Sequence, residues 1–181
     1  NAFEGTKNPI DVTFSPNSKL NTIPNGSFAE SRIKSIELPD TITAIDDNAF
    51  KYANIKKIDI PDSVKRIGDS AFAVSYLEKI TFGSNSKLEE IGASAFSYSS
   101  LNEIKLPETV KSIGAQAFNQ TKLKTITIPD AVTTIGGNAF SRTDLLKEIK
   151  IPTKYRGEIT GEPWGNQVGL VYWKDVLKIG P

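Results

Sequence analysis

Leu101 to Phe118, LNEIKLPETVKSIGAQAF, decides the fold, because the chain repeats it along its length. The next copy is Leu123 to Phe140, LKTITIPDAVTTIGGNAF, and earlier copies are Ile55 to Phe72, IKKIDIPDSVKRIGDSAF, and Ile33 to Phe50, IKSIELPDTITAIDDNAF. A longer version, Leu77 to Phe96, reads LEKITFGSNSKLEEIGASAF. A more worn first copy keeps Val12, Phe14, Leu20, Ile23, Ser27 and Phe28 in the matching places. Self-similarity at a fixed period of roughly 20 to 50 residues marks a repeat architecture, in which each unit buries its apolar side against its neighbours.

Stacking the copies exposes the inward columns. One runs Ile36, Ile58, Ile80, Ile104, Ile126 and Ile149; two residues on, another runs Leu38, Ile60, Phe82, Leu106, Ile128 and Ile151. That i, i+2 spacing is the period of a strand with one buried face. Pro39, Pro61, Pro107, Pro129 and Pro152 follow directly, and proline, with no N–H to donate, ends each strand. The return half of each coil carries Ile23, Ile45, Ile67, Ile91, Ile113 and Ile135. Gly68, Gly92, Gly114 and Gly136 sit beside the last four, suiting either a positive φ or a close backbone approach. A small residue and a phenylalanine close the unit, so Phe3, Phe28, Phe50, Phe72, Phe96, Phe118 and Phe140 form a core column. Three residues on, Thr6, Ser31, Ala53, Ser75, Ser99, Thr121 and Thr143 mark a corner where a hydroxyl can satisfy backbone groups that lack ladder partners.

Successive phenylalanines of that column are 25, 22, 22, 24, 22 and 22 residues apart. Both longer intervals hold a matching insert, Phe14-Ser-Pro-Asn-Ser-Lys-Leu20 and Phe82-Gly-Ser-Asn-Ser-Lys-Leu88. Inserts in repeat proteins map to loops on one face, so these two are expected on the same face, three coils apart.

Composition narrows the function more than it names it. The 181 residues, 38% of them hydrophobic, suffice for one domain, and a net charge of +1 gives no reason to expect nucleic acid or an anionic membrane as partner. No apolar run approaches the roughly 20 residues that a membrane span needs. Cysteine, histidine and methionine are absent, so there is neither a disulfide nor a thiolate metal site, and the usual general base and best nucleophile are missing. A chain without Met that opens on the last three residues of a repeat reads as a piece of a longer protein. Ser31-Arg-Ile-Lys34 and Ser84-Asn-Ser-Lys87 match S-x-x-K of serine acyl enzymes, with none of the accompanying motifs. Asp46-Asp47 and Glu89-Glu90 read as solvated pairs, and the sequons Asn25-Gly-Ser27 and Asn119-Gln-Thr121 as coincidences of structural columns. The sequence is therefore read as non-enzymatic, with no cofactor, no metal, no membrane insertion, and a monomer.

Over residues 10–152 the pattern L-x-x-I-x-I-P-x-x-V-x-x-I-G-x-x-A-F resembles the leucine-rich repeats of the bacterial surface antigen A type, also called Treponema pallidum-type repeats. Members usually carry Cys at the corner that here holds Ser, Thr or Ala, a change the fold should tolerate because the column needs only something small. The resemblance implies a leucine-rich-repeat solenoid: mainly β, one short parallel strand per coil, and short helical or 3-10 turns. It also implies a secreted or cell-surface location in a bacterium or parasitic protist, and adhesion to host or neighbouring cells. Residues 1–152 are expected to form a solenoid of about six coils after a partial first repeat, and seven strands would give a sheet roughly 30 Å long at about 4.8 Å each. Residues 153–181 break the pattern. They are expected to cover the C-terminal end with Tyr155, Trp164, Val168, Leu170, Tyr172 and Trp173, with a strand over Val168 to Trp173.

Two surfaces could bind. The outward strand columns, Asp11, Ser35, Lys57, Lys79, Glu103, Thr125, Glu148 and Thr13, Glu37, Asp59, Thr81, Lys105, Thr127, Lys150, hold both signs of charge around threonines and no aromatic. Their central candidates are Lys57, Asp59, Lys79, Thr81, Glu103 and Lys105, suited to a polar protein surface. Tyr52, Tyr76 and Tyr98 cluster at the corner of three successive coils, and tyrosine is enriched at interface hot spots. The leading expectation is a surface adhesion module for a protein or glycan of a host or neighbouring cell. Its rival is a structural spacer or scaffold with no ligand of its own.

Overall fold

The computed structural model describes residues 8–152 and the strand at 171–173. Two parallel ladders run along the repeats. On the strand side lie β1 (Ile10–Val12), β3 (Ile33–Ile36), β5 (Lys57–Ile60), β7 (Lys79–Phe82), β10 (Thr125–Thr127), β12 (Glu148–Ile151) and β13 (Val171–Trp173). On the return side lie β2 (Thr22–Ile23), β4 (Ala44–Ile45), β6 (Arg66–Ile67), β8 (Glu90–Ile91), β9 (Ser112–Ile113) and β11 (Thr134–Ile135). Every named pairing is parallel, as a solenoid with one direction of winding requires.

Most coils carry two strands where one is expected, the coil of Leu101 to Phe118 keeping only its return strand β9, and the continuous ladder is on the unexpected side. The return strands pair without a break in the order β11-β9-β8-β6-β4-β2, whereas the strand side divides into β1-β3, β5-β7 and β10-β12-β13. A single bridge from Lys79 to Glu103 reaches the next coil. The expected sheet of seven strands is therefore interrupted. The insert at 83–87 does not by itself account for the loss, because the matching insert at 15–19 leaves β1 paired with β3. Nothing in the structure explains the break between β3 and β5.

From β4 onward glycine lets the coils of the return ladder close up, while β2 and β4 pair with Pro24 and Asp46 in that column. A Cβ added at Gly68 would lie 2.6 Å from the Asp47 nitrogen, and one at Gly114 2.4 Å from the Ala93 nitrogen. None of the column glycines has a positive φ, so close approach is what the column requires. Behind it, Phe28, Phe50, Phe72, Phe96, Phe118 and Phe140 stack face to face with centroids 5.0–5.5 Å apart and planes within 1–11°. Among the described residues the phenylalanines, isoleucines and leucines of the inward columns form one core, with Ile36, Leu38 and Phe82 only partly buried against it.

No helix occurs among the described residues; around each core phenylalanine the chain forms a ribbon of β-turns in place of the short helical or 3-10 turns that the resemblance implies. Ala49, Lys51 and Ala53 donate their N–H three residues back, to Asp46, Asn48 and Phe50. The alternate residues Asn48, Phe50 and Tyr52 donate to Asp69, Ala71 and Ala73 of the next coil. A helix keeps its N–H groups for its own carbonyls, so sending every second one to the neighbour forbids it. Two left-handed residues per coil make this possible, such as Asn48 at φ 55° and Tyr52 at φ 59°. The hydroxyl corner behaves as expected: Ser31 Oγ donates to the Phe28 carbonyl at 2.6 Å, Ser75 to Phe72 at 2.7 Å and Thr121 to Phe118 at 3.0 Å.

Within the expected strand Val168 to Trp173, residues Val171–Trp173 pair with β12. Phe3 and Thr6, and the covering role of Tyr155, Trp164, Val168 and Leu170, lie outside the described residues.

Candidate functional site

The strand face has the register that the repeat columns imply. Lys57 stands opposite Lys79 and Asp59 opposite Thr81, and the Lys79 bridge brings in Glu103. The Thr81 hydroxyl donates to the Asp59 carboxylate, occupying part of that acid within the protein. Ser35 likewise donates to Asp11 at 2.5 Å, with Lys34 at 3.3 Å, and together they hold the Asp11 carboxyl below the ordinary aspartate range. Lys57, Lys79, Glu103 and Lys105 are exposed and have no side-chain hydrogen bond or ion pair among the described residues.

The corner brings the tyrosines together with a residue that sequence reasoning missed. Tyr52, Val74 and Tyr98 occupy one position, two residues after the core phenylalanine, in three successive coils. All three have left-handed backbones, at φ 59°, 54° and 58°. Tyr76 stands two residues beyond Val74. Tyr52 is 48% exposed, Val74 38%, Tyr76 60% and Tyr98 51%. Lys51 Nζ lies 5.5 Å from the Tyr52 ring centroid, a cation–π contact, and Gln120 Nε2 donates to the Tyr98 hydroxyl at 3.0 Å. Elsewhere the same position holds Glu30, Gln120 or Arg142. The spacing from phenylalanine was the signal that could have found Val74.

The remaining motifs have structural employment. Arg66 on β6 reaches Asp47 at 2.8 Å, Glu90 at 3.6 Å and Asp46 at 4.0 Å, while Lys111 holds Glu89 at 2.9 Å. The Arg66 guanidinium, helped by the Asp69 N–H at 2.9 Å, keeps the Asp47 carboxyl below its ordinary range. Ser31, the first S-x-x-K serine, is buried with its hydroxyl given to a carbonyl, a poor position for a nucleophile. Asn119 is also buried, its Nδ2 donating to the Ser141 carbonyl at 3.2 Å, so an oligosaccharide cannot be attached there in the folded chain. Asn25 of the other sequon is exposed.

A family model described as BspA type Leucine rich repeat region matches residues 1–89 and 84–160, with 6 copies of the repeat. No curated protein matches the sequence. A leucine-rich repeat protein from Bacteroides ovatus is 26% identical over 85% of this chain and 47% of its own, with a TM-score of 0.60. One from Eubacterium ventriosum is 25% identical over 63% of this chain and 33% of its own, with a TM-score of 0.54. Pneumococcal vaccine antigen PcpA, 24% identical over 79% of this chain and 44% of its own, shares the fold with a TM-score of 0.58. The chain thus spans between a third and a half of the length of these proteins.

Proposed function

The chain belongs to the BspA-type leucine-rich repeat family, and from that premise we propose a non-enzymatic recognition module, carried on a secreted or cell-surface protein, that binds a protein or glycan of a host or neighbouring cell. One observation carries the reading: Tyr52, Val74, Tyr76 and Tyr98 form an exposed apolar strip on successive coils. A β-branched valine in the left-handed region costs about 1 to 2 kcal/mol, and its exposure returns little of that through burial. Costly exposed apolar residues that line up along an axis suit a surface that is covered when a partner binds. The free charges of Lys57, Lys79, Glu103 and Lys105 on the strand face can add selectivity and speed of encounter.

The spacer reading keeps one observation in its favour: Asp11 and Asp59 on the strand face are already satisfied internally. The chain is tested against an array of host matrix proteins and glycans, beside a Tyr52→Ala, Tyr76→Ala, Tyr98→Ala variant and a charge-reversed strand-face variant, each checked for native circular dichroism. Binding that disappears with the tyrosines while folding is intact supports the corner. Loss only on charge reversal moves the site to the strand face, and no binding by the parent favours the spacer.

A further inference from the structure

The two inserts build one site twice. Ser18 N donates to the Ser15 carbonyl at 2.9 Å, and Ser86 N to the Gly83 carbonyl at 3.2 Å. The hydroxyl of each serine then accepts from a leucine N–H, Leu20 at 3.3 Å and Leu88 at 3.4 Å. Finally, the next coil fastens the loop, with Thr41 Oγ1 donating to the Leu20 carbonyl and Thr109 Oγ1 to the Leu88 carbonyl, both at 2.7 Å. Between each insert and the following strand end lies an open cavity, of about 620 Å³ at the first insert and about 380 Å³ at the second. Both fall in the range of small-ligand sites.

What the cavities share defines what they can hold. Each has the half-buried ring of Phe14 or Phe82 on one side and a Leu-Pro step on the other, with the carboxylate of Asp40 or Glu108 at the rim. Each also has a serine hydroxyl from the insert, at different positions: Ser15 matches Gly83, and Ser84 matches Pro16. Neither rim carboxylate has a side-chain partner among the described residues. Where the cavities differ, they differ in sign: Glu37 lines the first at the position Lys105 takes in the second. With Asp40, the first cavity is bordered by two acids, whereas Lys105 offsets Glu108 in the second, so a charged ligand would not be held alike by both. An aromatic face, a carboxylate that can accept two hydroxyls and further hydroxyls nearby suit a pyranose ring.

We propose that the two cavities are equivalent subsites for a neutral glycan chain lying along the solenoid. The bonds that fasten each insert prepare the site before the ligand arrives, which lowers the ordering cost of binding. The subsites are three coils apart, with coil spacings of 5.0–5.5 Å in the phenylalanine stack between them. A disaccharide occupies one subsite, whereas a longer chain reaches both and gains from the second attachment.

The test uses the whole chain with Asp40→Asn and Glu108→Gln variants, each checked for native circular dichroism. Immobilised neutral and acidic glycans identify a bound species, and calorimetry follows with its disaccharide and its longer oligosaccharides. The expected result is two disaccharides per protein, falling to one in either variant. The long chain is expected to bind one to one, tighter by about 10²-fold or more, and to lose that advantage in either variant. Retention of acidic glycans only or of nothing overturns the proposal, as does a stoichiometry that neither variant changes. The tyrosine variant is expected to keep this binding, so the two readings fail separately.

Discussion

The return side and the strand side of this solenoid come from the same repeats, yet only the return side is laddered at every described coil. Its strands are two residues long, against up to four on the strand side. Length is therefore not what keeps a ladder intact here. The return strands lie along the phenylalanine stack, and from β6 onward glycines beside them allow backbone contact, so packing fixes the distance between coils. The strand side is bounded by prolines and inserts, and can lose pairing without losing the core. A solenoid built this way concentrates its rigidity on one side and leaves the other free to vary.

The largest expected effect tests that division directly. Phe96→Ala opens a cavity in the middle of the stack and is expected to cost about 3 to 5 kcal/mol by denaturant unfolding. Phe82→Ala removes a ring of the same size from the half-buried strand side and should cost roughly 1 to 2 kcal/mol. Equal losses would mean that both sides carry the fold alike, and the comparison would fail.

A sharper contrast lies in two neighbouring glycines. A Cβ at Gly136 would meet the Ala115 nitrogen at 2.3 Å, while one at Gly137 meets nothing within 4 Å. Gly136→Ala must push coils apart along the return ladder, at about 1 to 3 kcal/mol. Gly137→Ala restricts the unfolded chain without a clash and is expected to stabilise by about 0.4 to 1 kcal/mol. Thermal melting of the two variants separates them by sign.

These contrasts also explain what the sequence could reveal. The core columns were legible because Phe, Ile and Leu recur at fixed places, and the strand period was readable over Ile58 to Ile60 or Ile126 to Ile128. The second strand of each coil was not, since two residues such as Thr22 and Ile23 are too few to show alternation. The left-handed corner was hidden because Asn48, Ser70, Gln116 and Asn138 stand where glycine usually advertises that conformation, and only Gly26 does so. Of the candidate site, Tyr52 and Tyr98 share a column in the sequence, two residues after Phe50 and Phe96. Val74 shares that column too, but a lone valine in a repeat protein ordinarily belongs to the core. The matching inserts were readable as a pair, but the cavities beside them depend on the next coil's Leu-Pro step, which no local window joins to the insert.

The corner supplies the next prediction. Val74→Asn replaces a β-branched residue by one that tolerates the left-handed region and is expected to raise stability by up to about 1 kcal/mol. Under the corner reading it also weakens partner binding. A variant that gains stability and keeps full binding would remove Val74 from the recognition strip.

The smallest effect concerns Arg66, which ties three return strands through their acids. The Asp47 carboxyl, hydrogen-bonded by Arg66 and by the Asp69 N–H, has a folded pKa lowered from the ordinary 3.8. A depressed carboxylate contributes stability that is fully present above its unfolded pKa and is lost as pH falls through the folded one. Both groups are more than a third exposed, so solvent screening keeps the contribution small. The stability difference between the parent and Asp47→Asn is therefore expected to be flat near neutrality and to vanish in acid below the ordinary aspartate pKa. Salt should shrink it, because an exposed ion pair is screened. No difference at neutral pH would assign Asp47's role to its hydrogen bond with the Asp69 N–H, which an asparagine oxygen can also accept, and a difference that persists unchanged at low pH could not come from the carboxylate's charge; either result would detach Arg66 from the rigidity of the return side.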